Sequence, residues 1–287
     1  MESLNNEITV SVCCITYNQE KYIAQAIEGF LLQKTDFKIE ILIGEDYSTD
    51  NTRQIIQNYQ SKHPDLIKIL SGEKNAGGVK NLLNVLKNAT GKYLAFCDGD
   101  DYWTDADKLQ KQVDFLKDNQ DFVACSHYSR VIDDKDETCY VAKNIVPLEY
   151  TFDDFLIGKK EETRTSSLVF RATDEFKNFG ANQSVDKVIA IDNFLKLYIT
   201  STSGLKLYVW PEIMSCYRIH PGGIWSMIDP KIRKRKMISD FNILIDSFKY
   251  SSYQKKWLLK VYLRKYFLFQ IRDFKIKNAY NTISQLL

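Results

Sequence analysis

Apolar positions in the first hundred residues switch repeatedly between two periods. Ile8 to Thr16 is an apolar, β-prone run, and from Glu20 to Leu32 the residues Tyr22, Ile23, Ala26, Ile27 and Phe30 fall at helical spacing, so a strand feeds a helix. The alternation then recurs. Ile39 to Ile43 reads as a short buried strand, a helix capped by Ser48 or Asp50 runs to Lys62, and Ile67 to Leu70 forms a third strand. A helix from Val79 to Ala89, closed by Gly91, leads into a fourth apolar run, Tyr93 to Cys97. Repeated strand–helix units of this kind predict a mostly parallel sheet flanked by helices.

Further along, Asp105 to Asn119 reads as an amphipathic helix and Phe122 to Val131 as a strand. From Asp133 to Phe152 the pattern weakens into polar residues around Pro147, the place expected for a mobile loop or an insertion. Ser166 to Arg171 is a strand by pattern, Val185 to Thr200 a helix, and Lys206 to Trp210 with Met214 to Ile219 two closing strands. Beyond Pro230 the chain is helix-compatible and rich in lysine and aromatics. No internal repeat or low-complexity segment interrupts it.

With 287 residues, 44% hydrophobic and 26% charged, the chain suits one large globular domain with an appendage. Its six cysteines, Cys13, Cys14, Cys97, Cys125, Cys139 and Cys216, show no CxxC spacing and lie mostly in apolar runs. That favours buried thiols in a reducing cytoplasm over a disulfide framework or a zinc site. The sequence has no apolar stretch of the ~18 residues a bilayer span needs, and MESLNNEITV lacks a secretory pattern. A cytoplasmic protein is therefore expected. The net charge of +2 hides an asymmetry: residues 231 to 287 carry 14 Lys/Arg against 3 Asp/Glu, so the two parts meet different surfaces.

The densest chemistry is Asp98-Gly99-Asp100-Asp101, three carboxylates in four positions at the end of a strand. Their mutual repulsion is relieved by a hard divalent cation, which is typically held by one or two carboxylates plus phosphate oxygens. A solvated acidic turn is the alternative. In open α/β sheets the ligand crevice lies outside the carboxyl ends of the strands, where this cluster sits. Gly44-Glu45-Asp46-Tyr47-Ser48-Thr49-Asp50 brings a second acidic loop to the same edge, where a carboxylate can accept hydrogen bonds from a base or ribose; taken alone, Ser48 and Asp50 are helix caps. Thr16-Tyr17-Asn18 ends the first strand, and Asn75 to Asn81 supplies a glycine turn with Lys80 able to meet a phosphate. His220, with Pro221, Gly222, Gly223, Ile224, Trp225 and Ser226, forms a segment able to close over a ligand. His63 and His127 carry no assignment.

Taken in order, these segments resemble the inverting family 2 glycosyltransferases of the GT-A nucleotide-diphospho-sugar transferase fold. Val10 to Asn18 looks like the opening strand, Glu45 to Thr52 like the DDGSxDxT loop, Asn75 to Asn81 like the NxGxxxxRN segment, Asp98 to Asp101 like the DXD motif, and His220 to Ser226 like the HxGGxWS closing motif. Tyr47 departs from the usual second Asp-Gly, and Lys80 stands for the usual arginine. The resemblance implies that Thr16, Tyr17, Asn18, Glu20, Asp46, Lys80, Asp98 and Gly99 bind the donor, with Asp46 at the base and Asp98 near the ribose. It further implies that Asp100 holds Mn or Mg against the diphosphate, with His220 as a further metal ligand or pyrophosphate contact. Asp192, in Ile191-Asp192-Asn193-Phe194, is the expected catalytic base, with Asp186 as the alternative.

The implied organisation is a GT-A catalytic domain over residues 1–230, with a nucleotide-binding part (1–130) and an acceptor part (131–230), then a basic, aromatic, helical C-terminal extension over 231–287. The expected activity is transfer from a nucleotide-sugar, UDP-linked, to a saccharide or lipid-linked acceptor in bacterial surface polysaccharide or glycolipid synthesis. An inactive sugar-nucleotide-binding scaffold is the alternative. No nucleic-acid partner is expected. The C-terminal Lys, Arg, Trp257, Tyr262, Tyr266, Phe267 and Phe269 suit either peripheral contact with the inner membrane face or packing on the catalytic domain or a homodimer partner.

Overall fold

A computed structural model of the protein describes residues 7–159, 162–179, 185–223 and 229–287. Its first part alternates β1 (Val10–Thr16), α1 (Ile23–Leu31), β2 (Ile39–Glu45), α2 (Thr52–Lys62), β3 (Ile67–Ser71), α3 (Gly78–Asn88) and β4 (Tyr93–Phe96). β1 pairs in parallel with β2 and β4, and β2 with β3. β1, β2 and β4 are mostly apolar because both of their faces are covered, whereas the edge strand β3 exposes Lys68. Val12 and Cys14 join a core with Ile23, Ile27, Phe30 and Ile56 from α1 and α2. Cys13, between them, points the other way, into a core with Leu82 and Val85 of α3.

The second part contains β5 (Tyr102–Trp103), α4 (Lys108–Asp118), β6 (Phe122–Ile132), β7 (Thr138–Tyr140), β8 (Leu148–Tyr150), α5 (Phe152–Leu156), β9 (Val169–Arg171), α6 (Asp174–Lys177), α7 (Ile191–Ser203) and β10 (Lys206–Arg218). The sheet runs β3-β2-β1-β4-β9-β6-β10-β5, with β7 beside β6 and β8 beside β10. β9 is antiparallel to both β4 and β6, so the parallel first half passes into a mixed second half.

The segment expected to be a mobile loop or an insertion, 133 to 152, instead carries β7 and β8, pinned to their neighbours by backbone pairing. The two closing strands expected on either side of Pro211 are one strand. A register shift between Trp210 and Ile213 accommodates the proline, which cannot donate to a ladder. Cys13, Cys14, Cys97, Cys125 and Cys216 are buried thiols, whereas Cys139 is exposed.

The C-terminal helices are α8 (Pro230–Ser247), α9 (Ser252–Tyr262), a π-helical turn (Leu263–Phe267), α10 (Leu268–Arg272) and α11 (Ile276–Leu286). Local sequence starts them. Asp229 accepts N–H bonds from Lys231 and Ile232 ahead of α8, with Pro230 in its first turn, and Ser251 forms a capping box with Gln254 at α9. Phe241, Leu258, Tyr262 and Tyr266 pack with Leu156 of α5 and Leu197 of α7. Part of the aromatic content thus docks onto the sheet-bearing unit, while Phe274, Tyr280 and Leu268 remain exposed. Among the described residues no helix is long and apolar enough to cross a membrane.

Candidate functional site

Because β1, β2 and β4 are parallel neighbours, their carboxyl ends and following loops meet along one edge. The loop after β1 turns at Asn18, which takes a positive φ of 52°. Asn18 donates its N–H to Ser48 Oγ (3.0 Å) and accepts from Thr49 N on Oδ1 (2.8 Å). Glu20 accepts from Asn51 N (3.0 Å) and Nδ2 (2.8 Å), and its own N–H donates to Asp50 Oδ2 (3.1 Å). Asn18 and Glu20 therefore lash the first loop to the second. Tyr17, between strand and turn, is 44% exposed and free to lie against a planar ligand.

Asp46 is buried, and its carboxylate accepts from Ala76 N (2.7 Å) and Gly77 N (2.9 Å). Gly77, with φ of 88°, supplies the left-handed turn that aims both N–H groups at it. Asn75 Nδ2 reaches Asp46 O (3.0 Å) and Asn81 Nδ2 reaches Gly44 O (2.7 Å), so the glycine segment is fastened to the end of β2. Lys80 stands exposed in the first turn of α3.

At the end of β4, Gly99 is required by close approach. A Cβ there would lie 2.6 Å from Gln19 Oε1 and 2.8 Å from Thr16, while Thr16 Oγ1 donates to that same Gln19 Oε1 (2.7 Å). Burial, reinforced by repulsion from Asp100 and Asp192, pushes the Asp98 carboxyl well above its ordinary range. Asp101 is pushed up likewise by burial, then by Asp100 and Asp98, against an opposing hydrogen bond from Arg218 N (2.8 Å). Asp100 faces His220, with Oδ2 to Nε2 at 2.9 Å. Gly222 N donates to His220 Nδ1 (3.2 Å), so the ring's proton sits on Nε2 and points to Asp100. Tyr22 packs on the His220 ring at 4.7 Å.

Arg218, at the end of β10, was not singled out by the sequence pattern, yet it organises this edge. It is 4% exposed and donates to Asp100 O (3.1 Å), Asp133 O (3.1 Å) and Gln25 Oε1 (2.6 Å), with an ion pair to Asp136 (2.8 Å). It also lies over the Tyr22 ring at 4.6 Å. Its only sequence signal is an arginine at the end of an otherwise buried strand, two residues before His220. Ile224, Trp225 and Ser226 of the closing segment lie outside the described residues.

Asp192 occupies the first turn of α7, and its charge contributes to the raised Asp98 carboxyl, so the two carboxylates are in electrostatic reach of each other. Asp186 instead stands exposed on the short turn Val185–Lys187. The backbone ahead of α7 is held from the C-terminal helices: Asp240 of α8 accepts from Ile189 N (3.1 Å) and Ala190 N (2.9 Å). Burial, with Asp192 adding repulsion, raises the Asp240 carboxyl. His127 is buried on β6, its Nδ1 2.8 Å from Tyr128 O, and burial holds it well below the usual imidazole range.

Among the described residues no three His, Cys, Asp or Glu side chains converge as a ready metal cage. Asp100 and the half-buried Asp98 supply two candidate oxygen donors, while His220 presents its Nε2–H to Asp100. That donor set fits a hard cation completed by phosphate oxygens, as magnesium-type sites are.

The sequence profile of Glycosyl transferase family 2 matches residues 11–171. The uncharacterised protein Rv1520 of Mycobacterium tuberculosis is 37% identical over 219 residues, 75% of this chain and 60% of that protein, so the matched region spans well under two thirds of the relative. The Staphylococcus aureus poly(ribitol-phosphate) β-N-acetylglucosaminyltransferase TarS is 37% identical over 126 residues, 42% of this chain and 20% of TarS. A crystal structure of TarS residues 1–349 with UDP superposes with a TM-score of 0.63 at 20% identity, covering 94% of this chain and 75% of that one. The mannosyltransferase PcManGT of Pyrobaculum calidifontis, in complex with GDP-Man and Mn2+, gives 0.65 at 17% identity, covering 98% and 74%. These structures establish a shared fold.

Proposed function

Because the chain belongs to glycosyl transferase family 2, we propose that it moves a sugar from a nucleoside-diphosphate sugar, UDP-linked, to an acceptor hydroxyl with inversion. The product is a bacterial surface polysaccharide or glycolipid. The observation that supports this reading is the place of Asp192 in the first turn of α7, near enough to Asp98 for its charge to raise that carboxyl. A carboxylate in that position can accept a proton beside a bound donor.

In this reading Tyr17 packs on the base, and Asp46 reads the base with the lone pairs left over from Ala76 and Gly77. Asp98 lies toward the ribose. Lys80 lies toward the diphosphate, and His220, its Nε2–H donated to Asp100, orients that carboxylate beside it. Asp100 would hold Mn or Mg, which when bound neutralises charge growing on the leaving diphosphate. Asp192 takes the acceptor hydroxyl's proton as its oxygen bonds the anomeric carbon, and the bond to the nucleoside diphosphate breaks on the opposite face. Thr16, Gly99, Asn18 and Glu20 keep the loops in register around the donor.

Calorimetric titration of the full chain with UDP, GDP and dTDP, with and without Mn2+, tests the reading. UDP binding that tightens at least about tenfold with the ion is the expected result. Binding of none of the three would overturn it.

The proposed base also depends on the C-terminal helices. Asp240 acts as a positioning residue, holding the backbone from which Asp192 projects. Asp240→Ala should lower kcat for transfer about tenfold, in line with the loss from small misplacement of a catalytic group, and leave nucleotide affinity unchanged. Asp240→Asn, which keeps one acceptor oxygen, should recover part of the loss. A fall in nucleotide affinity equal to the fall in kcat would show a general structural role instead.

A further inference from the structure

Between the sheet-bearing unit and the C-terminal helices lies a cavity of about 580 Å3, a volume ordinary for a small-molecule site. Its walls are apolar: Leu156, Phe194 and Leu197 on one side, Phe241, Leu244 and Val261 on the other. Three cationic side chains, Lys159, Arg233 and Lys265, also line it, against a single carboxylate, Asp240. Asp240 is engaged with the backbone of Ile189 and Ala190. Lys159 pairs with Asp154 at 3.0 Å and lies over the Tyr150 ring.

Two further features make this cavity more than a gap between packed helices. Lys265 and Tyr266 come from the π-helical turn Leu263–Phe267, and such turns re-aim side chains and recur at functional sites. Lys265 Nζ sits over Gly158, 3.1 Å from where a Cβ would be, and Gly158 has a positive φ of 68°. The cavity also reaches the first turn of α7, since Ala190 and Asn193 line it on either side of Asp192.

An apolar chamber carrying an excess of cations fits a ligand with a hydrocarbon chain and an anionic head. We infer that this cavity binds the lipid-phosphate end of an amphiphilic acceptor, its chain among Leu197, Phe241 and Leu244 and its phosphate at Lys265, Lys159 and Arg233. That the occupant is the acceptor rests on the transferase reading; that the cavity binds such an amphiphile does not. The arrangement gives the basic helices a chemical task beside the proposed base, and Asp240 joins the two sites.

The test is calorimetry of the full chain with dodecyl phosphate below its micelle concentration, with dodecanol and inorganic phosphate as comparators. Dodecyl phosphate should bind one to one, at least about tenfold tighter than dodecanol, with inorganic phosphate weaker still. Lys265→Glu, which reverses a charge, and Leu244→Trp, which fills the chamber, should each weaken it about tenfold or more while nucleotide titration stays as in the wild type. Equal binding of dodecanol, wild-type affinity in both variants, or no one-to-one binding would overturn the inference. Dodecyl phosphate binding without nucleotide binding would sink the transferase reading alone; nucleotide binding without amphiphile binding would sink this one alone.

Discussion

Asp192→Asn should lower sugar transfer about 10³-fold, within the range typical for loss of a general base, while changing nucleotide affinity less than about twofold. The amide keeps the side chain's size but cannot take the acceptor's proton. Among the described residues Asp192 makes no hydrogen bond that asparagine would disturb, and the backbone ahead of α7 is held by Asp240. Removing its charge also relieves part of the repulsion on Asp98, so donor binding has no reason to weaken. Asp186→Asn, at an exposed site, should leave transfer within about twofold of wild type, in keeping with the small effects of surface changes. Measured on purified protein by product formation and by calorimetry, surviving transfer in Asp192→Asn would move the base elsewhere, with Asp186 the next residue to examine.

The second large effect is expected at Asp100. Asp100→Ala removes a carboxylate from the edge where the diphosphate is proposed to lie, and also the acceptor of the His220 Nε2–H bond. Transfer should fall about 10²- to 10³-fold, the scale seen when a charge-stabilising group is lost, and the tightening of nucleotide binding by Mn2+ should vanish. His220 is 6% exposed, so its orphaned donor should also cost about 1–3 kcal/mol of stability. Asp100→Asn separates the two effects. It restores an acceptor for His220 and with it most of the stability, but as a neutral ligand it should remain defective in transfer. A metal response retained in both variants would place the cation elsewhere.

How much of this was legible before folding follows from what each residue does locally. β1, β2 and β4 were legible because strands covered on both faces are mostly apolar, as at Val12, Cys13 and Cys14, one after another. Asp98-Gly99-Asp100-Asp101 was legible because three carboxylates at a strand end are costly unless something offsets them. The loop-tying bonds of Asn18 and Glu20 were not legible. Their side chains are spent on tying one loop to another, a contact between segments some thirty positions apart that no local pattern encodes. β7 and β8 escaped because strands of three residues carry too little periodicity, and their pairing with β6 and β10 comes from the tertiary arrangement.

By itself, the sequence determined the alternating architecture of the first half, the family, the acidic strand end and the helical character of the basic C-terminus, since each is written in spacing or in a short contiguous motif. The tertiary structure alone decided that Arg218 binds the Asp100 backbone, that the charge of Asp192 reaches Asp98, and that Asp240, 51 positions beyond Ile189, fixes the start of α7. The same packing formed the cationic, apolar chamber from α5, α7 and the C-terminal helices. The physical reason is common to all four. Their hydrogen bonds, repulsions and walls join residues that share no helix or strand, so they come into being only when burial of the surrounding apolar faces brings distant segments together.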